Sequence, residues 1–255
     1  MTRRRRLLGV YGRIGRTYWA WAPTLLILAT IVFVPLGLLD ALLNEVNTNS
    51  LNVTNGLQVA ALIGAIGAVT ASSLFGEVFF SGAIAASLTH PEDQRAPSFR
   101  QLVSHISYGK LIAVDLLYVL ITFVGFVALV VPGILALIYL SLAGPVVELE
   151  KRGVRAGFVR SFNLVRGHFW MVAAIVVPIE TVGDAINEAI VEGIHHGLGD
   201  SLLAAWVGEA VGNIVTAPVF SVAVVLLTLD LIGHRDGTAP PLKRQPGPIL
   251  AEEPA

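Results

Sequence analysis

Five stretches of this 255-residue chain are long and apolar enough to cross a lipid bilayer, a sixth comes close, and the basic residues lie between them. A helix needs roughly 20 mostly apolar residues to cross the hydrocarbon layer. That requirement excludes most soluble architectures before any motif is considered. The composition agrees: 55% of residues are hydrophobic and 14% are charged, mean hydropathy is +0.73, and a soluble domain carries about 25% charged residues.

The expected fold class is all-α: a polytopic membrane protein of six transmembrane helices plus one cytoplasmic amphipathic helix. The approximate spans are 19–43, 57–89, 111–131, 133–150, 168–190 and 202–232, together a transmembrane domain over 19–232. A basic cytoplasmic segment, 1–18, precedes them, and a Pro-rich tail, 233–255, follows and reads as disordered. The first span is too long for a signal peptide and lacks a small-residue cleavage site, so it reads as a retained anchor. Tyr18, Trp19 and Trp21 suit an interface belt, and Pro35 should kink the helix. The 33 residues of 57–89 would make a helix of about 50 Å, which must tilt, bend or protrude, with Ser72, Ser73 and Gly76 the expected flexure. Val131, Pro132 and Gly133 read as a tight turn that makes the third and fourth spans antiparallel neighbours. The fourth reaches crossing length only by continuing to Glu150, with Glu148 near the headgroups.

Charge placement gives orientation. The 17 Lys and Arg fall within 3–16, 95–110, 151–166 and 235–244. Six spans put all four groups on one side, which the positive-inside rule makes cytoplasmic. The expected location is a bacterial cytoplasmic (inner) membrane, with both termini inside. In the 151–167 segment, Val154, Phe158, Phe162 and Val165 recur at helical spacing among Arg152, Arg155, Arg160 and Arg166. This is the pattern of an interfacial helix whose arginines contact anionic lipid headgroups, or of a basic connector.

Acids at membrane depth are costly and are functional candidates by default. Glu77 and Asp115 lie inside apolar sequence, although Asp115 is near Lys110 and the interface. Glu180, Asp184 and Glu188 recur every four residues on the fifth span, and Glu209 lies on the sixth; with Asn187 and Asn213 they could line an outward acidic vestibule. Glu77, Asp115, Glu180, Asp184 and Glu209 are therefore the candidate polar path, or else structural carboxyls in helix contacts. Glu192, His195, His196 and Asp200 cluster without the spacing of a metal site. Gly208 and Gly212 form a small-xxx-small pair suited to close helix contact.

No catalytic or metal site, cofactor or nucleic-acid partner is expected. Cysteine is absent, which removes thiolate chemistry and disulfides. No nucleotide loop, nucleophile elbow or HExxH is present.

The run from Val131 to Trp170 carries the Val131-Pro132-Gly133 turn, Ala143 and Pro145 before Glu148, Arg160-Ser161, and Leu164-Val165-Arg166-Gly167 leading into Phe169-Trp170. It resembles the core of the bacterial multi-pass proteins known as the glycerophosphoryl diester phosphodiesterase membrane domain family, which look related to inner-membrane proteins of the YciC type. That family takes its name from fusions in which a separate soluble domain performs the phosphodiesterase chemistry, and no such domain is found in this sequence. The resemblance implies a membrane location and a link to lipid metabolism, not an activity. The leading expectation is a non-enzymatic membrane protein, lipid-associated or a scaffold or regulator of a membrane partner. The alternative is a transporter or lipid-handling protein whose intramembrane acids line a cavity.

Overall fold

The structure, a computed structural model, describes residues 3–44, 76–88 and 106–236. Among these residues the regular structure is all helix, without strands. Five helical stretches are long and apolar enough to cross a membrane: Gly9–Leu39, Tyr108–Ala128, Val130–Leu149, Phe169–Leu198 and Leu202–Asp236.

The helices are α1 (Arg3–Asn44), α2 (Glu77–Leu88), α3 (Tyr108–Ala128), α4 (Val130–Leu140), α5 (Ala143–Leu149), α6 (Val154–Arg166), α7 (Phe169–Leu198) and α8 (Leu202–Asp236). The first helix begins well before residue 19. The segment expected as a separate basic region is helical from Arg3, and α1 runs on through Pro23 and Pro35. Likewise α7 and α8 outlast the expected spans, ending at Leu198 and Asp236. The first part of the 57–89 stretch, including Ser72 and Ser73, lies outside the described residues, as do 237–255.

The long α8 is the axis of the bundle. It is buried along most of its C-terminal half, from Ala217 to Ile232, with α1, α7 and α2 laid against it. Its apolar residues join Phe33, Phe80, Ile84, Leu142 and Ile175 in the larger core. A smaller core of Val78, Leu111, Tyr118, Val147 and Phe158 links α2, α3, α5 and α6. The outer surface stays apolar, as on α3, where Leu116, Leu120, Val124 and Val127 are exposed. Burial of one stripe and exposure of the rest is what lipid as solvent permits.

The tight reversal falls two residues earlier than the sequence suggests. Leu129 alone is extended (φ −169°, ψ 151°), and α4 starts at Val130, so Pro132 sits in the first helical turn, where its missing N–H costs nothing. Gly133 instead works by proximity: a Cβ on it would strike the Phe126 ring, and one on Gly125 would come within 2.9 Å of the Gly133 Cα. These two glycines let α3 and α4 close into an antiparallel pair.

Two other close contacts depend on glycine. A Cβ on Gly144 would collide with the Val78 carbonyl oxygen between α5 and α2, and one on Gly212 would collide with the Asn187 side chain between α8 and α7. Gly208 approaches Val191 in the same α7–α8 seam.

Candidate functional site

Helix α2 begins abruptly in the bundle. Gly76 precedes it with φ +99°, a left-handed conformation that favours glycine, and the helix starts at Glu77. A helix start exposes amide groups with no partner inside the helix, and in an apolar interior these must be satisfied from elsewhere. Asp115 of α3 does this. Its carboxylate accepts the Gly76 amide at 2.6 Å, Val78 at 3.2 Å and Phe79 at 3.4 Å. Asp115 is 1% exposed, so its charge is compensated by three amides and by the positive end of the α2 dipole. The Asp115 predicted as part of a polar path is thus occupied as a cap supplied by a neighbouring helix.

Glu77, the first residue of α2, points to a different neighbour. Its carboxyl lies beside that of Glu180 on α7, and its Oε2 is buried without a partner. Asp184, one turn further along α7, is exposed but close enough to act electrostatically on both glutamates. Tyr118 of α3 is fully buried, its hydroxyl has no partner, and Glu77, Glu180 and Asp115 all act on it. One turn beyond, the Thr122 hydroxyl is also buried and unpartnered. Three helices therefore bring Glu77, Glu180 and Tyr118 close together, with Asp115 and Asp184 beside them.

The expected vestibule divides in two. Glu180 and Asp184 belong to the Glu77 cluster, whereas Glu209 lines a separate cavity of about 480 Å³ with Glu188, His195 and Asp200. His195 approaches Asp200 at 3.4 Å and His196 approaches Glu192 at 3.3 Å. The four side chains form two pairs, and among the described residues no three His, Asp or Glu converge as a metal site would require.

The arginine-bearing segment is the 13-residue α6, whose more apolar side is turned into the protein. Phe158, Leu164 and Val165 are buried, Phe162 stacks on Tyr139 at 4.7 Å, and the Ser161 hydroxyl donates to the Tyr139 carbonyl at 2.7 Å. Arg160 binds Glu150 and Asp236, and Arg152 also binds Glu150. Burial works against the Arg160 cation, but the hydrogen bonds it donates to Glu150 and Asp236 outweigh it and hold the guanidinium above its ordinary range. Arg155 and Arg166 remain exposed, with no ion pair among the described residues.

Glu148 is turned into the protein: it is 2% exposed, accepts the Ser107 amide at 2.8 Å and pairs with Lys151 at 2.7 Å. Of the polar residues in the 131–170 run, Glu148, Arg160 and Ser161 are thus engaged in joints between helices. Sequence reasoning passed over Tyr118 and Thr122, although with Asp115 they form an i, i+3, i+7 polar stripe on an otherwise apolar helix. It also passed over Asp230, an acid within the apolar run of α8 that pairs with Arg13 of α1. Comparison with family models, curated proteins and solved structures finds no match for this chain.

Proposed function

We propose that this is a multi-pass membrane protein without enzymatic activity that binds a proton or small cation in its interior and serves in transport or lipid handling. The observation that carries this reading is the Glu77–Glu180 pair, with the buried Glu77 Oε2 and Tyr118 hydroxyl left unpartnered beside it. A purely structural cluster would satisfy its own polar atoms, because each orphan costs about 1–3 kcal/mol. A carboxylate only accepts hydrogen bonds, so two carboxyls in contact need a proton between them or a cation bridging them. The proposed topology has six crossings, the second being the 57–89 stretch of which α2 is the described part, with both termini cytoplasmic in a bacterial inner membrane.

The test is infrared difference spectroscopy of the reconstituted protein, following the protonated-carboxyl band during pH jumps and during perfusion with sodium, potassium or calcium. The band should respond to at least one of these, and Glu77→Gln should abolish the response. A band that stays fixed under every perfusion would make the pair a permanent structural contact.

The capping role of Asp115 favours a second reading, in which the acids of this bundle are spent on architecture and the protein is a lipid-associated scaffold or a regulator of a membrane partner. The fixed-band outcome selects it.

A further inference from the structure

On the face of α7 away from Glu180, a groove leads to a cluster of cationic side chains. Helices α1 and α7 each pack along α8 but scarcely touch each other, so a furrow with α8 as its floor is left between them. At the basic end it opens into a cavity of about 550 Å³, rimmed by Arg13, Arg16, His168, Asp230 and His234 and floored by Val10, Met171 and Leu231. A second cavity of about 570 Å³ shares His168, Leu231 and His234 and adds Arg166 and Arg235. Deeper in the furrow is a third, of about 500 Å³, lined by Pro178, Ile179, Val182, Ile186, Val215 and Val219. Tyr11 borders this deeper cavity, and its hydroxyl bridges the furrow to the Ala174 carbonyl at 2.9 Å.

The charges at the rim do not cancel. Asp230 is engaged by Arg13, and Arg235 donates to the Asn163 carbonyl. Among the described residues Arg16 uses only its Nε, on Gly12 of its own helix, and it is exposed. Arg166 is exposed without an ion pair among the described residues, and His168 and His234 meet edge to face with ring centres 5.4 Å apart. Arginine side chains and imidazoles above an apolar furrow match a ligand with an anionic head and a hydrocarbon body, and basic pockets between helices at a membrane surface suit such headgroups.

We infer that this furrow is a binding site for an anionic phospholipid, with its phosphate between Arg16 and the His168–His234 pair and one acyl chain along Val182, Ile186 and Val215. The site is independent of the carboxyl cluster, because the groove-facing residues of α7 and Glu180 lie about 150° apart around the helix at 100° per residue. Of the four arginines singled out in the 151–167 segment it takes in only Arg166; Arg152 and Arg160 are tied to Glu150.

Native mass spectrometry of the full chain, released from micelles containing equal amounts of phosphatidylglycerol and phosphatidylcholine, tests this. Retained phosphatidylglycerol should exceed phosphatidylcholine, and Arg16→Ala should reduce that preference about fivefold, the factor for one basic residue at an anionic surface. Arg16 and His234 are exposed, so these variants should melt like the parent, and His234→Ala should act in the same direction. Gly183→Leu, which narrows the furrow beside Thr216, should lower retention of both lipids. Equal retention of the two lipids by the parent would overturn the proposal. So would an Arg16→Ala variant with unchanged preference, or displacement of the lipid by equimolar inorganic phosphate, which would indicate a simple anion site.

Discussion

The Asp115 carboxylate on α3 receives the Gly76 amide at 2.6 Å and thereby starts α2 inside the bundle. The same side chain collects the amides of Val78 and Phe79, so one acid satisfies three donors of a helix that is not its own. Gly76 can present its amide this way because it holds φ +99°, with Leu36 of α1 packed where a side chain would project.

Asp115→Ala should therefore be among the most destabilising single changes at this end of the bundle. It leaves three inward amides without an acceptor, at about 1–3 kcal/mol for each one that neither water nor relaxation rescues. Asp115→Asn keeps one acceptor oxygen and should fall between the alanine variant and the parent. Thermal melts in detergent measure both, and an alanine variant as stable as the parent would show that the cap contributes nothing.

Gly144→Ala should also be severe, because its new methyl meets the Val78 carbonyl and must push α2 and α5 apart. Overpacking of this kind costs about 1–3 kcal/mol. Gly193→Ala offers the opposite sign: no atom lies within 4 Å of its prospective Cβ, and it sits inside α7. Replacing a helical glycine there should stabilise by about 0.5–1 kcal/mol. Equal effects of the two substitutions in the same melting assay would refute this account of the α2–α5 contact.

Much of this architecture is legible in the sequence because lipid imposes a length rule on every span. The apolar runs ending in Leu43, beginning at Leu111 and beginning at Leu202 all belong to long helices. What is not legible depends on partners distant in sequence. Asp115 reads as a buried charge until Gly76, 39 residues away, is seen to need it. Phe158 and Val165 read as a face for lipid because hydropathy cannot distinguish lipid from the side of another helix, and here the protein itself covers them. The Val131-Pro132-Gly133 reading gave the antiparallel pair but set the break two residues late: proline suits both a turn and the first turn of a helix, so Leu129 could take the break instead. The pairing of Glu77 with Glu180 could not be inferred from spacing at all, since it joins α2 to α7.

Lys151 separates backbone strain from charge. It is the one non-glycine residue with positive φ among those described, at 49°, and its ammonium contacts the buried Glu148 at 2.7 Å. The Lys151 side chain is 63% exposed, so the ion pair contributes little. Lys151→Ala and Lys151→Gly both lose the pair, but only glycine relieves the left-handed backbone. The glycine variant should exceed the alanine variant in stability by about 1 kcal/mol. If the alanine variant proved the more stable, the φ assignment at this joint would be wrong.

The proposed six-span topology is tested most directly by cysteine labelling, because the parent chain has no cysteine to mask the result. The fold gathers Arg13, Arg152, Arg160 and Arg235 at one end through Asp230, Glu150, Asp236 and Asn163. Glu188, Glu192, Asp200 and Glu209 lie at the other end of α7 and α8. The positive-inside rule then places Arg155 in the cytoplasm and Asp200 outside. Asp200→Cys and Asn49→Cys should react with a membrane-impermeant maleimide in intact cells, and Arg155→Cys only after lysis. The Asn49 result decides the count. If Asn49→Cys is protected while Asp200→Cys is labelled, α1 does not cross the membrane as a single span, and the placement of every basic residue on one side fails with it.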